Sequence, residues 1–204
     1  MNRLRADVLG QSYPEFSVVL PDGWEEFTTT QAAQAALMGR ASERLSAAHR
    51  PELAAQLRAI TTRAFSKMRA TGTERFYIQT RAWSNDLLLP LSITASVREA
   101  TAQKTLDAQV ADLIRTRGAT ALRDDRRFVR WESESTLALG TERARQYTTT
   151  YLTPIPGTER REALHLVAVA VAPADGSVPR SHPLVAGMFE LSDAVVSTLH
   201  WSTR

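Results

Sequence analysis

The period of the apolar positions changes several times along the chain, and each change marks an element. Phe16, Val18 and Leu20 alternate with Ser17 and Val19, the two-residue period of a half-buried strand over 16–20. Pro21-Asp22-Gly23 ends it, because proline lacks a ladder donor and Asp-Gly favours a tight turn. Trp24 follows at once and is expected to lay its ring over the sheet edge. From there the period lengthens. Leu37, Ala41, Leu45 and Ala48 form a narrow apolar stripe in an alanine-rich stretch that a threonine among Thr28–Thr30 can cap. Leu53, Leu57, Ile60, Ala64 and Met68 form a second stripe, with Pro51 suited to a first turn and Gly72 just past the end. These two predict a helical pair at about 29–71.

Two-residue alternation returns in "RFYIQTRAW" and "LLLPLSITASVRE", separated by the turn cluster Ser84-Asn85-Asp86, which predicts an antiparallel strand pair. "TAQKTLDAQVADLIRTRG" reads as a third helix with Leu106, Val110, Leu113 and Ile114 inward and Gly118 at its stop. "ATALRDD", "RFVRWESESTLAL", "ERARQYTTTYLTPIPG" and "ALHLVAVAVA" read as strands, with turns at Asp124-Asp125, Gly140 and Pro156-Gly157. A closing helix is expected to be capped by Ser181 and to bury Leu184, Met188, Leu191, Val195 and Leu199. The predicted order is β–α–α–β–β–α–β–β–β–β–α. Hairpin-joined strands flanked by helices define an α+β class with a central antiparallel β-sheet. Residues 1–12 are expected to be a flexible N-terminal arm, and 13–204 a single α+β domain.

"FSVVLPDGW", the strand pair followed by "TLDAQVADLI", and the closing "FELSDAVVSTLHW" together resemble the PsbP-like superfamily. The segment "YLTPIPGTERREALHLVAVA" and the long helical stretch after the first strand are similar to a bacterial branch of it. The resemblance covers roughly residues 13–202 and rests on apolar, proline and tryptophan patterns. It implies an α/β/α sandwich in which the sheet lies between helical layers. Members are mostly non-enzymatic: an extrinsic photosystem subunit, a Ran-binding nuclear protein, lipoproteins, and chaperones that hold secretion effectors. The pair at 29–71 departs from the single helix of compact relatives. No family binding motif matches residue by residue, so no site is carried over.

Composition narrows the chemistry. The chain has 204 residues and no cysteine, which removes disulfides, thiolate catalysis and sulfur-ligated zinc. A lipoprotein anchor would also need a cysteine. Lys67 and Lys104 are the two lysines among 25 basic residues, and alanine is abundant, a bias of high-GC bacterial genomes. Against 22 acidic residues, 25 − 22 leaves a net charge of +3, the balance of an ordinary mixed surface. The longest apolar run, "LHLVAVAVAPA", is too short to span a bilayer, and the chain reads as soluble and cytoplasmic.

His49, His165, His182 and His200 are scattered without metal-ligand spacing, and His49 and His200 are placed in last helical turns. No nucleophile elbow or phosphate loop is present. Glu132 and Glu134 would project from one side of a strand roughly 7 Å apart, a spacing that carboxylate-pair chemistry can use. A solvated strand face is the simpler reading. Arg58, Arg63, Lys67 and Arg69 cluster on the second helix and are the candidate partner-binding residues, although cations also suit a helix C-terminus. Ala32, Ala33, Ala36 and Ala47 give the first helix a smooth side.

The leading expectation is a non-catalytic adaptor or chaperone-like protein that binds another protein, needs no cofactor, and is a monomer or homodimer. The alternative is a small-ligand binder or hydrolase whose pocket, between the helical pair and the sheet, is lined by Trp83, Trp131, Tyr147 and Tyr151. A second alternative is nucleic-acid binding through one basic face.

Overall fold

The computed structural model describes residues 13–47, 51–83, 87–101, 105–139 and 142–202. Among the described residues, nine strands and four helices follow one another as β1 (Phe16–Ser17), β2 (Trp24–Thr28), α1 (Gln31–Ala47), α2 (Pro51–Ala70), β3 (Thr73–Gln79), β4 (Leu91–Glu99) and α3 (Leu106–Arg117), then β5 (Thr120–Leu122), β6 (Asp125–Leu139), β7 (Glu142–Pro154), β8 (Glu162–Pro173), α4 (Pro183–Ser197) and β9 (His200–Trp201). Seven strands form one antiparallel sheet in the order β2-β3-β4-β8-β7-β6-β5, and β1 pairs with β9 in a separate two-stranded ribbon. The α+β class and the antiparallel sheet between helices are as expected. The turn cluster at Ser84–Asp86, the turn at Gly140 and the side chains of Leu45, Ala47, Ala48, His49 and Leu53 lie outside what is described.

Strand alternation sorts the core into two sides. Tyr77, Ile93, Ala95, Tyr147, Tyr151, Leu164, Leu166, Ala168 and Ala170 face α4 and form the main core with Val185, Met188, Phe189, Val195 and Val196. On the other side, α1 and α2 cover the β2–β3 end through Phe27, Phe65 and Phe76, and α3 covers the far end through Leu106, Leu152 and Ala163.

The start of the chain differs from the reading above. Only Phe16–Ser17 is strand, and it joins β9 instead of the main sheet. The Pro-Asp-Gly turn forms, with Trp24 N donating to Pro21 O at 3.1 Å. Gly23 sits at φ +80°, and a Cβ there would lie 2.6 Å from the carbonyl oxygen of Arg81, so glycine is needed twice over. Trp24 is not a plug over the edge. It opens the edge strand β2, and its side chain is buried in the main core.

Two helices are rotated from their predicted faces. In α2 the sheet-facing side chain is Phe65, edge-on to Phe76 with centroids 5.3 Å apart, while Phe76 stacks on Phe27. Ile60 is left 53% exposed and Ala64 is exposed. Burying a phenylalanine ring yields roughly 1.5–3 kcal/mol, so the ring takes the contact and turns the smaller residues out. In α4 the buried set is Val185, Met188, Phe189, Ser192, Val195 and Val196, one position round from the stripe that included the exposed Leu184. Its cap is His182, whose Nδ1 accepts from Leu184 N, and not Ser181. The helix ends at Ser197, so His200 is a strand residue paired with Ser17 instead of sitting in a last helical turn. In α3 the predicted stop holds, with Gly118 at φ +62°, and Thr105 caps the start by accepting from Ala108 N. Ile114, expected inward, is 54% exposed.

Candidate functional site

The candidate basic residues divide. Arg58, Arg63 and Lys67 are exposed and line a shallow, open groove of about 910 Å³ along α2, between Ala55, Ala59, Thr62, Ser66 and Ala70. No hydrogen bond or ion pair joins these three cations to a described residue. Arg69 faces the other way. Its Nη1 donates to Thr29 O at 3.2 Å and to Gln34 Oε1 at 3.1 Å, and its guanidinium lies over the Phe65 ring. Arg69 fastens α2 to α1 and is not part of the groove. Helical spacing explains part of the split. Thr61, Phe65 and Met68 centre the inward arc, Arg69 borders it, and Arg63 and Lys67 lie on the far side, whereas Arg58, seven residues before Phe65 and on the same side of the helix, is exposed two turns earlier.

Glu132 and Glu134 share a strand face as expected, but each is held by arginine. Arg130 Nη2 donates to Glu132 Oε1 at 2.7 Å, and Arg180 Nη2 donates to Oε2 at 2.7 Å. Arg145 Nη1 donates to Glu134 Oε1 at 2.6 Å. Burial pushes the Glu132 carboxyl up, yet hydrogen bonds from Arg130 and Arg180 outweigh it and hold the group below the usual range. A carboxylate kept ionised by two guanidiniums is poorly suited to carry a proton.

The same network reaches α4. Arg130 Nε donates to Asp193 Oδ1 at 2.9 Å, and the Tyr151 hydroxyl donates to that oxygen at 2.6 Å. Burial and then the Asp193 charge raise the Tyr151 phenol well above its ordinary value, so it stays a donor. Arg180 lies 4.2 Å over the Phe189 ring. Arg130, Tyr151 and Asp193 come from three separate elements and Arg180 from the loop between β8 and α4, and no local spacing links them in the sequence.

The four aromatic residues of the pocket alternative do not converge. Tyr147 and Tyr151 are buried beneath α4, where the Tyr147 hydroxyl donates to Val178 O. Trp131 is on the opposite face beside α3, and Trp83 Nε1 donates to Asp22 O at the β2 edge. His165 shares Trp131's face, with ring centroids 6.2 Å apart. Burial, with the charge of Arg98, lowers its imidazole to about 4, so the ring is neutral over the physiological range. Among the described residues no cluster of three or more His, Asp or Glu is arranged to hold a metal ion. No helix among them is long and apolar enough to cross a membrane.

No protein-family profile matches this chain. No curated protein matches it either. Solved structures similar at low identity include the following two. LpqN, described as involved in cell envelope biogenesis of Mycobacterium tuberculosis, is 10% identical over 96% of this chain and 88% of its own, with a TM-score of 0.44. A point mutant of the protein Mog1 is 11% identical over 62% of this chain and 78% of its own, with a TM-score of 0.37.

Proposed function

We propose that the protein is a non-catalytic adaptor or chaperone-like scaffold that docks an acidic segment of a partner protein along the outer face of α2. One observation carries this reading: Arg58, Arg63 and Lys67 stand exposed on one groove with no acidic partner among the described residues. Arg75, Arg127, Arg130, Arg145 and Arg180, by contrast, each hold a carboxylate. An isolated α2 would gain little from three cations without a described acidic neighbour, whereas a partner carrying carboxylates at matching intervals would neutralise them all. Residues 58 and 67 are separated by roughly 13 Å of helix and about two and a half turns, which sets them at opposite rims of the groove. The alanines, serine and threonine between them let a partner backbone come close.

The test is capture with the full chain and with an Arg58→Glu/Arg63→Glu/Lys67→Glu variant of unchanged circular dichroism. The expected result is a protein enriched by the wild type and lost with the variant. Equal enrichment by both chains would move the interface elsewhere. A nucleic acid in place of a protein, released steeply by salt, would replace this reading with its basic-face alternative.

A further inference from the structure

The two edges of the main sheet are finished differently. At one, β2 is five residues long, and its flank carries Trp83 bonded to Asp22 and Arg40 paired with Glu25. At the other, β5 covers β6 only as far as Arg130. From Trp131 to Leu139 the outer edge of β6 has no partner strand among the described residues. Natural edges are blunted by shortness, proline, lysine, bulges or inward charges. This edge has neither proline nor lysine, and its register with β7 runs without a shift from Val129↔Leu152 to Leu139↔Glu142. Its two acids are drawn onto the α4 face, where Arg130, Arg180 and Arg145 neutralise them.

We propose that a second copy of this chain pairs with that edge, β6 against β6, antiparallel about a two-fold axis at Ser135. The register follows from charge and length. An axis at Ser133 would set Glu132 opposite Glu134, and an axis at Glu134 would set that acid opposite itself; like charges directly opposed are destabilising. An axis at Ser135 sets Glu132 opposite Ala138, Ser133 opposite Leu137 and Glu134 opposite Thr136. It also matches the whole unpaired stretch, 131 to 139, with itself. A foreign strand would have to supply this fit, whereas the chain's own edge already has it. The pairing closes on itself and uses up the edge, as a two-fold interface must. It involves neither α2 nor its cations, so it stands or falls separately from the docking reading.

The absence of cysteine from the chain makes the test direct, because a single introduced thiol can form a disulfide only with another molecule. Ser135 side chains related by the axis would have Cβ atoms about 4.5–5.5 Å apart, close to disulfide reach. The expected results are dimer mass for the wild type in sedimentation equilibrium, disulfide-linked dimer from Ser135→Cys on mild oxidation, and none from Ser66→Cys on α2. Ser135→Lys, which places two lysines at the axis, is expected to sediment as a monomer with unchanged circular dichroism. A monomeric wild type, equal cross-linking through Ser66→Cys, or a Ser135→Lys protein that remains dimeric would each overturn the proposal.

Discussion

The guanidinium of Arg75 lies 4.6 Å above the ring of Phe16 and also donates to the Phe16 backbone carbonyl at 3.0 Å. One side chain of the main sheet thus holds both parts of a β1 residue, and its Nη1 reaches Glu26 as well. Through Phe16, which meets Trp201 edge-on, Arg75 anchors the whole β1–β9 ribbon. Arg75→Ala is expected to cost about 1–3 kcal/mol, summing a cation–π contact and a hydrogen bond. Urea unfolding followed by tryptophan fluorescence measures it. A cost no larger than that of an ordinary surface substitution would show the ribbon to be held by other contacts.

The rotation of α2 is tested by a pair of substitutions. Phe65→Ala removes the ring that joins α2 to Phe76 and is expected to cost about 3–5 kcal/mol. Ile60→Ala, at a position 53% exposed, is expected to change stability by less than about 0.5 kcal/mol. The reverse ranking in thermal unfolding would restore the stripe through Ile60.

Glu162 stands directly opposite Glu99 across the β4–β8 ladder. Burial, then the charges of Glu99 and Glu74, raise its carboxyl above the ordinary range. A carboxyl raised in the folded state favours folding while protonated and loses that advantage as pH rises through its folded value. Glu162→Gln is therefore expected to raise the melting temperature at neutral pH, with the gain shrinking as pH falls toward the carboxylate range. A loss of stability at neutral pH would mean that the ionised carboxylate has a favourable partner.

Glu132 has the opposite sign. Its folded value is depressed, so the stability it contributes is present above the unfolded carboxylate value and lost as pH falls through the folded one. Glu132→Gln is expected to destabilise at neutral pH, and the difference from wild type should close in acid. A difference independent of pH would assign the effect to packing.

Asp193→Ala leaves Arg130 and the Tyr151 hydroxyl without their shared acceptor beneath α4. Breaking a largely buried pair from one side costs roughly 3 kcal/mol, and this is the expected loss in chemical denaturation. Pairing Asp193→Ala with Arg130→Met should recover part of it, because the stranded cation is then gone. An additive double variant would show that the two side chains do not interact.

Elements carried by local signals were legible in the sequence. Gly118 stops α3 as expected because a helix C-cap needs only near neighbours, and the long strands show in their alternation. The face of α4 was not, because Leu184 and Val185 are equally apolar and the three-dimensional packing decides between them. The ribbon of β1 and β9 has two residues per strand, too few for any period to register. Of the candidate site, the exposure of Arg63 and Lys67 followed from helical spacing; that of Arg58, seven residues before the buried Phe65, did not, and the inward turn of Arg69 depends on Thr29 and Gln34, more than thirty residues away. The ties of Arg130 to Asp193 and of Arg180 to Glu132 depend on contacts more distant still.

The ribbon also sets an order of events during synthesis. Phe16 leaves the ribosome before β2 to β8 and Trp201 after them, yet each is the other's partner. Until the segment carrying Trp201 emerges, β1 has no strand to pair with and the Phe16 ring lacks its aromatic neighbour. The main sheet can assemble beforehand, since β2 to β8 are all made earlier. Closure of the ribbon, with Ser202 N donating to Glu15 O at 2.7 Å, then becomes a late step that follows assembly of the main sheet.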